Sequence, residues 1–219
     1  MNDPQAFIRE QTTRAAPPLV PELRVWTATE LTPMWEATEQ LLARTGIEPP
    51  FWAFAWPGSQ GLARFLLDHP DAVAGRRVLD VGSGNGLAAI AAARVGGTVT
   101  ANDVDPMALV AVEMNAAENG VRLHTRLGDL TGGDAASIEA EVVLVGDLCY
   151  ERTLAERLLT WLRALARGGR RVLIAEPGRA FAPREGVRTV ARYMVPTTLE
   201  RCIGSATNGV AYDDFSAQP

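Results

Sequence analysis

From residue 77 onward the chain alternates short, branched apolar runs with longer segments of helical periodicity. The run Arg77-Val78-Leu79-Asp80-Val81 is too short and too β-branched to be a helix by itself and predicts a strand. It is followed by a pattern that predicts a helix at about 86 to 95, a strand at 98 to 103, a helix at 106 to 118 and a strand at 121 to 126, a βαβαβ unit. Val142-Val143-Leu144-Val145 predicts another strand, with a helix at about 153 to 167 behind it and a strand at Arg171-Val172-Leu173-Ile174-Ala175. Such regular alternation implies right-handed crossovers and a buried, mostly parallel sheet. Beyond Ala180 the pattern predicts a helix and then two strands, near 193 to 196 and 209 to 214.

Ahead of the first strand the rhythm is different. Residues from about 3 to 48 carry helical patterning broken by Pro17-Pro18 and Pro21. They read as an N-terminal helical arm, residues 1–48, packed on a main domain of residues 49–219. The loop Pro49-Pro50-Phe51-Trp52-Ala53-Phe54-Ala55-Trp56-Pro57-Gly58 holds four large aromatics and leads into a helical run from Ser59 to Asp68. Aromatic runs commonly serve packing, which is the reading for Phe51, Trp52 and Phe54, whereas Trp56 is placed beside the ligand.

Candidate chemistry begins where the first strand ends. Val78-Leu79-Asp80-Val81-Gly82-Ser83-Gly84-Asn85-Gly86-Leu87 is a strand, a glycine-rich turn and the opening of a helix, where backbone can approach a ligand closely. Its spacing is G-x-G-x-G, not the dinucleotide G-x-G-x-x-G, and Asp80 stands two residues before the first glycine. A carboxylate there suits a cationic amino group and repels a pyrophosphate, which favours S-adenosylmethionine over NAD. Asp103 falls roughly 20 residues after the turn, where an acid can accept both ribose hydroxyls. Asp105 reads as the cap of the helix begun at Pro106. In Gly128-Asp129-Leu130 the carboxylate is placed to accept the adenine amino group, with Leu130 beside the ring. Gly82, Gly84 and Asn85 of the turn complete the expected cofactor set.

Composition narrows the field. The 219 residues are 47% hydrophobic and 21% charged, enough for one α/β domain with a core of ordinary size. A formal net charge of -5 argues against a broad grip on phosphate backbones, so no nucleic-acid partner is expected. All 21 basic residues are arginine; the chain has no lysine. Cys149 and Cys202 show neither metal-ligand spacing nor a disulfide framework and read as reduced, inert thiols. His69 and His124 read as surface or strand residues. The start of the chain lacks a basic segment followed by an apolar run, and the most apolar stretch, Leu87 to Ala101, falls short of the roughly 20 residues that span a bilayer. A cytoplasmic protein with no membrane partner is the expectation.

Asp147-Leu148-Cys149-Tyr150-Glu151, after the fourth strand, resembles the D-x-x-Y-type motif of the seven-strand protein-lysine methyltransferases. Phe7-Ile8-Arg9, Ala16-Pro17-Pro18-Leu19-Val20-Pro21-Glu22-Leu23, Pro50-Phe51-Trp52-Ala53-Phe54-Ala55-Trp56 and Glu176-Pro177-Gly178-Arg179-Ala180 are together similar to the electron transfer flavoprotein β-subunit lysine methyltransferases. The resemblance implies a Rossmann-like class I methyltransferase fold, a seven-stranded mostly parallel sheet with helices on both faces. It implies that Trp56 and Gly58 help wall the cofactor, that Asp80, Gly82, Gly84 and Asp103 hold it, and that Asp147 and Tyr150 line a lysine channel, with Asp147 also at the cofactor's edge. Position supports a ligand role for Asp147, because open α/β sheets bind ligands beside the carboxyl ends of strands; helix capping is the competing role, and for Glu151 the expected one. The activity implied is transfer of methyl from S-adenosylmethionine, with S-adenosylhomocysteine as product, to lysines of the flavoprotein β subunit. Two alternatives stand beside it: methylation of a ribosomal protein or a small amine, and a noncatalytic cofactor-binding or interaction module.

Overall fold

The computed structural model describes residues 3–28, 50–195 and 209–214. Helix α1 (Pro4–Gln11) and strands β1 (Thr13–Ala15) and β2 (Val25–Thr27) come first. Then follow α2 (Pro57–Asp68), β3 (Arg77–Val81), α3 (Leu87–Arg94), β4 (Thr98–Asp103), α4 (Pro106–Glu118), β5 (His124–Leu127), β6 (Val142–Gly146), α5 (Arg152–Arg167), β7 (Arg171–Glu176), β8 (Arg188–Met194) and β9 (Gly209–Asp214). One seven-stranded sheet runs in the order β5-β4-β3-β6-β7-β9-β8. The five strands from β5 to β7 are parallel, and β9 enters antiparallel between β7 and β8.

The continuous apolar run of β6 is buried at every position, as a strand covered on both faces must be. Its alternate residues part to opposite sides. Val142 and Leu144, with Val78 and Leu173, join Leu62, Leu66 and Ile90 of α2 and α3 in one core. Val143 and Val145, with Leu79, Val81, Val172 and Ile174, pack against Leu158, Leu162 and Leu165 of α5 on the other side. Each fully buried leucine of this kind contributes roughly 1.5–3 kcal/mol.

The strand order sets the site. From β3 the chain winds outward through β4 to β5, then returns to place β6 against the other edge of β3. The carboxyl ends of β3 and β6 therefore flank a switch point, where crossovers diverge and a crevice opens.

Several boundaries differ from expectation. The arm is helical only over α1 among its described residues; Thr13–Ala15 pairs antiparallel with Val25–Thr27, the prolines between them precluding helix, and 29–48 lie outside the described residues. The arm is stitched to α4: Trp26 N–H donates to Asn115 Oδ1 at 2.7 Å, and the Asn119 amide both accepts from Arg24 N–H and donates to Arg24 C=O. Strand β5 starts at His124 because residues 119–121 finish α4: Gly120, at φ 65°, and Val121 donate to Ala117 and Ala116 C=O, a Schellman closure. Between 180 and 187 there is no helix; Pro183 and Gly186, at φ 73°, break it. The strand expected near 193 to 196 occupies Arg188–Met194 instead, an arginine-bearing edge strand.

Candidate active site

At the switch point lies a cleft of about 550 Å³, within the usual range for small-molecule sites. Its floor is the turn between β3 and α3, where Gly82, Gly84 and Gly86 have φ of 63°, 54° and 78°, conformations that favour glycine. Gly82 has a second constraint, since a Cβ there would lie 2.7 Å from the Leu148 side chain. Asn85 lines the cleft, but its amide is engaged in the fold: Nδ2 donates to Phe54 C=O and Oδ1 accepts from Leu87 N–H.

Asp80 does not line the cleft. It is buried, and its Oδ2 accepts from Ala89 N–H at 3.1 Å, in the first turn of α3, where the macrodipole favours a carboxylate. Burial pushes its pKa up to about 7. Asp103, at the end of β4, faces the cleft; Oδ2 accepts from Gly84 N–H at 2.9 Å and Oδ1 from Asp105 N–H at 3.1 Å. Burial raises its pKa against those bonds. Asp105 caps α4 through Met107 N–H. Asp129 lies on the far wall, where Oδ1 accepts from the Thr131 hydroxyl and amide and Oδ2 pairs with Arg157 of α5 at 2.8 Å. Partial burial opposes ionisation there, yet these partners hold Asp129 below the ordinary carboxylate range. Leu130 lies beside it in the lining.

The aromatic loop forms the near wall. Trp52 and Phe54 are buried and pack with Ile8 and Met114, while all four aromatics, including these two, contribute surface to the cleft. Trp56 Nε1 donates to Phe51 C=O at 2.8 Å, which fixes its indole. Phe51 meets Tyr150 at 5.4 Å between ring centroids, and Tyr150 is 47% exposed. His69 and His124 are exposed, and neither lines the cleft.

Beyond β6 the chain turns through Asp147, the one non-glycine residue with positive φ (62°) among the described residues. Its carboxylate is buried at the amino end of α2: Oδ2 accepts from Ser59 N–H at 2.9 Å, and Oδ1 from Arg179 Nη1 at 3.0 Å. Gly58 does not line the cleft; a Cβ there would fall 2.5 Å from Ala175 O and 2.6 Å from Asp147 Oδ2, so glycine permits this approach. Arg179 Nη1 also reaches Glu176 Oε2 at 3.1 Å, and Glu176 Oε1 accepts from Cys149 N–H at 2.8 Å. Burial, then the neighbouring Asp147 charge, push Glu176 up to about 7. Asp147 is also raised by burial, against Arg179 and the α2 amides. Cys149 is fully buried and burial pushes its thiol up, which keeps it protonated; Cys202 lies outside the described residues. Glu151 caps α5 through Thr153 and Leu154 N–H.

The structure thus brings Trp56, Gly82, Gly84, Asn85, Asp103, Asp129, Leu130, Asp147 and Tyr150 to one cleft, with Asp80 and Gly58 immediately behind it. It adds Arg157 and Arg179, for which paired charge across the fold is the signal and sequence spacing is silent. It also adds Ser83, whose buried Oγ has no hydrogen-bond partner among the described residues. An unmatched hydroxyl beside a bare glycine backbone suits a polar ligand, and the lining carboxylates suit one carrying cationic and hydroxyl groups. S-Adenosylmethionine fits this donor set: Asp103 and the Ser83 hydroxyl offer contacts to a ribose and amino-acid portion, and Leu130 with the aromatics offers apolar walls.

Comparison with known proteins agrees with this geometry. The model of the family described as "Ribosomal protein L11 methyltransferase" matches residues 65–149. An electron transfer flavoprotein β-subunit lysine methyltransferase of Xenopus laevis is 40% identical over 180 residues, 81% of this chain and 71% of that protein. Its counterpart in Rattus norvegicus is 32% identical over 225 residues, 95% and 83% of the two chains. Among solved structures, a putative RNA methyltransferase from Pyrococcus horikoshii superposes with a TM-score of 0.56 at 14% identity, covering 82% of this chain and 96% of that one, a likeness of fold.

Proposed function

The chain belongs to the electron transfer flavoprotein β-subunit lysine methyltransferases, and from that footing we propose that its substrate is a lysine of that flavoprotein subunit, bound at the Asp147–Tyr150 end of the cleft. It is an S-adenosylmethionine-dependent protein-lysine methyltransferase. The observation that carries the substrate reading is the extent of likeness. The ribosomal-protein family model matches residues 65–149 alone, whereas the flavoprotein-modifying relatives match far more of the chain.

When bound, S-adenosylmethionine supplies an electrophilic methyl carried on a sulfonium. What remains for the protein is alignment and exclusion of water. Ser83, Asp103 and the Gly82–Gly84 backbone would hold the donor at the floor, and Asp129 with Leu130 would receive its adenine end. Trp56, Phe51 and Tyr150 wall the route by which a lysine side chain enters. A lysine has an unperturbed pKa of about 10.4 and must be neutral to attack, a state that burial and a nearby cation both favour. Its proton leaves to water, which frees the nitrogen lone pair for the methyl group that the bound donor would supply. Asp147 orients the amine by hydrogen bonding and does not abstract the proton.

The test uses purified protein, labelled S-adenosylmethionine and electron transfer flavoprotein, with a ribosomal-protein mixture in parallel and the label located by mass spectrometry. Since this chain contains no lysine, any methyl-lysine belongs to the added protein. Label on the flavoprotein β subunit supports the proposal. Label confined to the ribosomal fraction overturns the substrate and keeps the reaction.

A further inference from the structure

Asp147, Arg179 and Glu176 form a closed ring at the lysine end of the cleft. Going round it, Asp147 Oδ1 meets Arg179 Nη1 at 3.0 Å, the same nitrogen meets Glu176 Oε2 at 3.1 Å, Glu176 Oε1 takes Cys149 N–H at 2.8 Å, and Leu148 joins Cys149 back to Asp147. The side chains are 6%, 13% and 5% exposed. One guanidinium nitrogen therefore serves two buried carboxylates, and through them it holds the positive-φ turn at Asp147 and the loop that carries Tyr150.

This arrangement answers a chemical difficulty. A lone buried carboxylate beside a lysine binds it as ammonium and raises its pKa, which opposes methyl transfer. A carboxylate already paired with a fixed guanidinium still offers a lone pair to an N–H, but its field at the amine is largely cancelled. We propose that Arg179 is a positioning residue acting through Asp147 as its resident counter-ion, so that the carboxylate orients the substrate's amine without retaining its proton. Glu176 anchors Arg179 in that place. The groups facing Arg179 are Asp147 from the end of β6, Glu176 from the end of β7 and the protonated Cys149 thiol between them, while α2 contributes the Gly58 and Ser59 amides to Asp147. With burial moving Glu176 to about 7, Asp147 and Arg179 approach a neutral pair near neutrality.

The inference rests on the proposed lysine site, and its test separates the two. The full chain, with electron transfer flavoprotein as methyl acceptor, is assayed for kcat and KM from pH 6.5 to 10 in the wild type, Arg179→Met, Arg179→Lys and Glu176→Gln, counting methyl-lysine on the partner only; binding of S-adenosylhomocysteine checks folding. In Arg179→Met the rising limb of kcat moves up by about one pH unit, kcat at pH 7.5 falls about tenfold, in line with one unit of pKa, and KM stays level or falls because the ammonium is bound more strongly. Arg179→Lys restores the limb, since one nitrogen serves both carboxylates. Should Arg179→Met fail to fold, Glu176→Gln decides: removing the second claimant on Arg179 moves the limb down. An unmoved limb in the folded variants, or kcat and KM failing together with cofactor affinity, overturns the inference while leaving the lysine site standing. Wild-type protein that binds S-adenosylhomocysteine and methylates no lysine overturns both.

Discussion

Gly84 donates its backbone N–H to Oδ2 of Asp103 at 2.9 Å, so the carboxylate that ends β4 is aimed by the turn that ends β3. The other oxygen is held by Asp105 N–H, which leaves the carboxylate little freedom. Asp103→Ala removes both the proposed ligand contact and this brace. Hydrogen bonds to charged groups are worth about 1.5–3 kcal/mol, so dissociation of S-adenosylhomocysteine measured by calorimetry is expected to weaken about 10-fold to 100-fold. Unchanged affinity would show that Asp103 serves the turn alone.

Gly58→Ala tests the closest approach in the site. The added methyl would meet Ala175 O at 2.5 Å and Asp147 Oδ2 at 2.6 Å, backbone on one side and a fixed carboxylate on the other. Either α2 shifts or Asp147 leaves its place. Overpacking costs typically about 1–3 kcal/mol, and a displacement near 1 Å costs about 100-fold in turnover. A lowered thermal midpoint with a collapsed kcat is expected; wild-type kinetics would mean that α2 absorbs the change without moving Asp147.

Asp147→Asn separates charge from shape. The α2 amides and Arg179 all donate to this carboxylate, and an amide group presents a donor to at least one of them. Breaking a buried, paired charge costs about 3–5 kcal/mol, so stability in urea is expected to fall by that order and methyl transfer to be lost, with affinity for S-adenosylhomocysteine nearly unchanged. Equal loss of transfer and cofactor binding would count against a role at the lysine end.

The sheet was legible because β6 and the centre of β7 are buried on both faces and so read as short apolar runs, as does β3 apart from Asp80, with helical segments between them. The glycine turn and Asp103 follow from local spacing for the same reason. What local spacing misses is contact between distant segments. Nothing in Glu176-Pro177-Gly178-Arg179 by itself says that Arg179 pairs with Asp147, 32 residues away, nor does local spacing say that Arg157 pairs with Asp129 on the far wall. The role first given to Asp80 illustrates the converse: spacing places a carboxylate beside the turn, but its orientation toward Ala89 N–H depends on α3 packing above it. The start of β5 misreads because a helix-closing glycine claims the residues that branched side chains assign to the strand.

Asp80 carries the last prediction. Its pKa rises from 3.8 unfolded to about 7 in the fold, first through burial, with the nearby Asp103 charge adding to it and Ala89 N–H opposing. A carboxyl whose folded pKa is raised is bound more favourably as the neutral acid, so its contribution to stability is complete below about 3.8 and is lost as the pH climbs through 7. At about 1.36 kcal/mol per unit, the loss is on the order of a few kcal/mol. Asp80→Asn keeps an acceptor for Ala89 N–H and cannot ionise. Urea unfolding of both proteins without ligand at pH 5 and pH 8 should therefore show wild type losing ground to the variant at the higher pH, whatever slope the other groups impose on both. Parallel behaviour at the two pH values would mean that Asp80 is ionised in the fold throughout, held so by the amino end of α3, and that the helix terminus outweighs burial at this position.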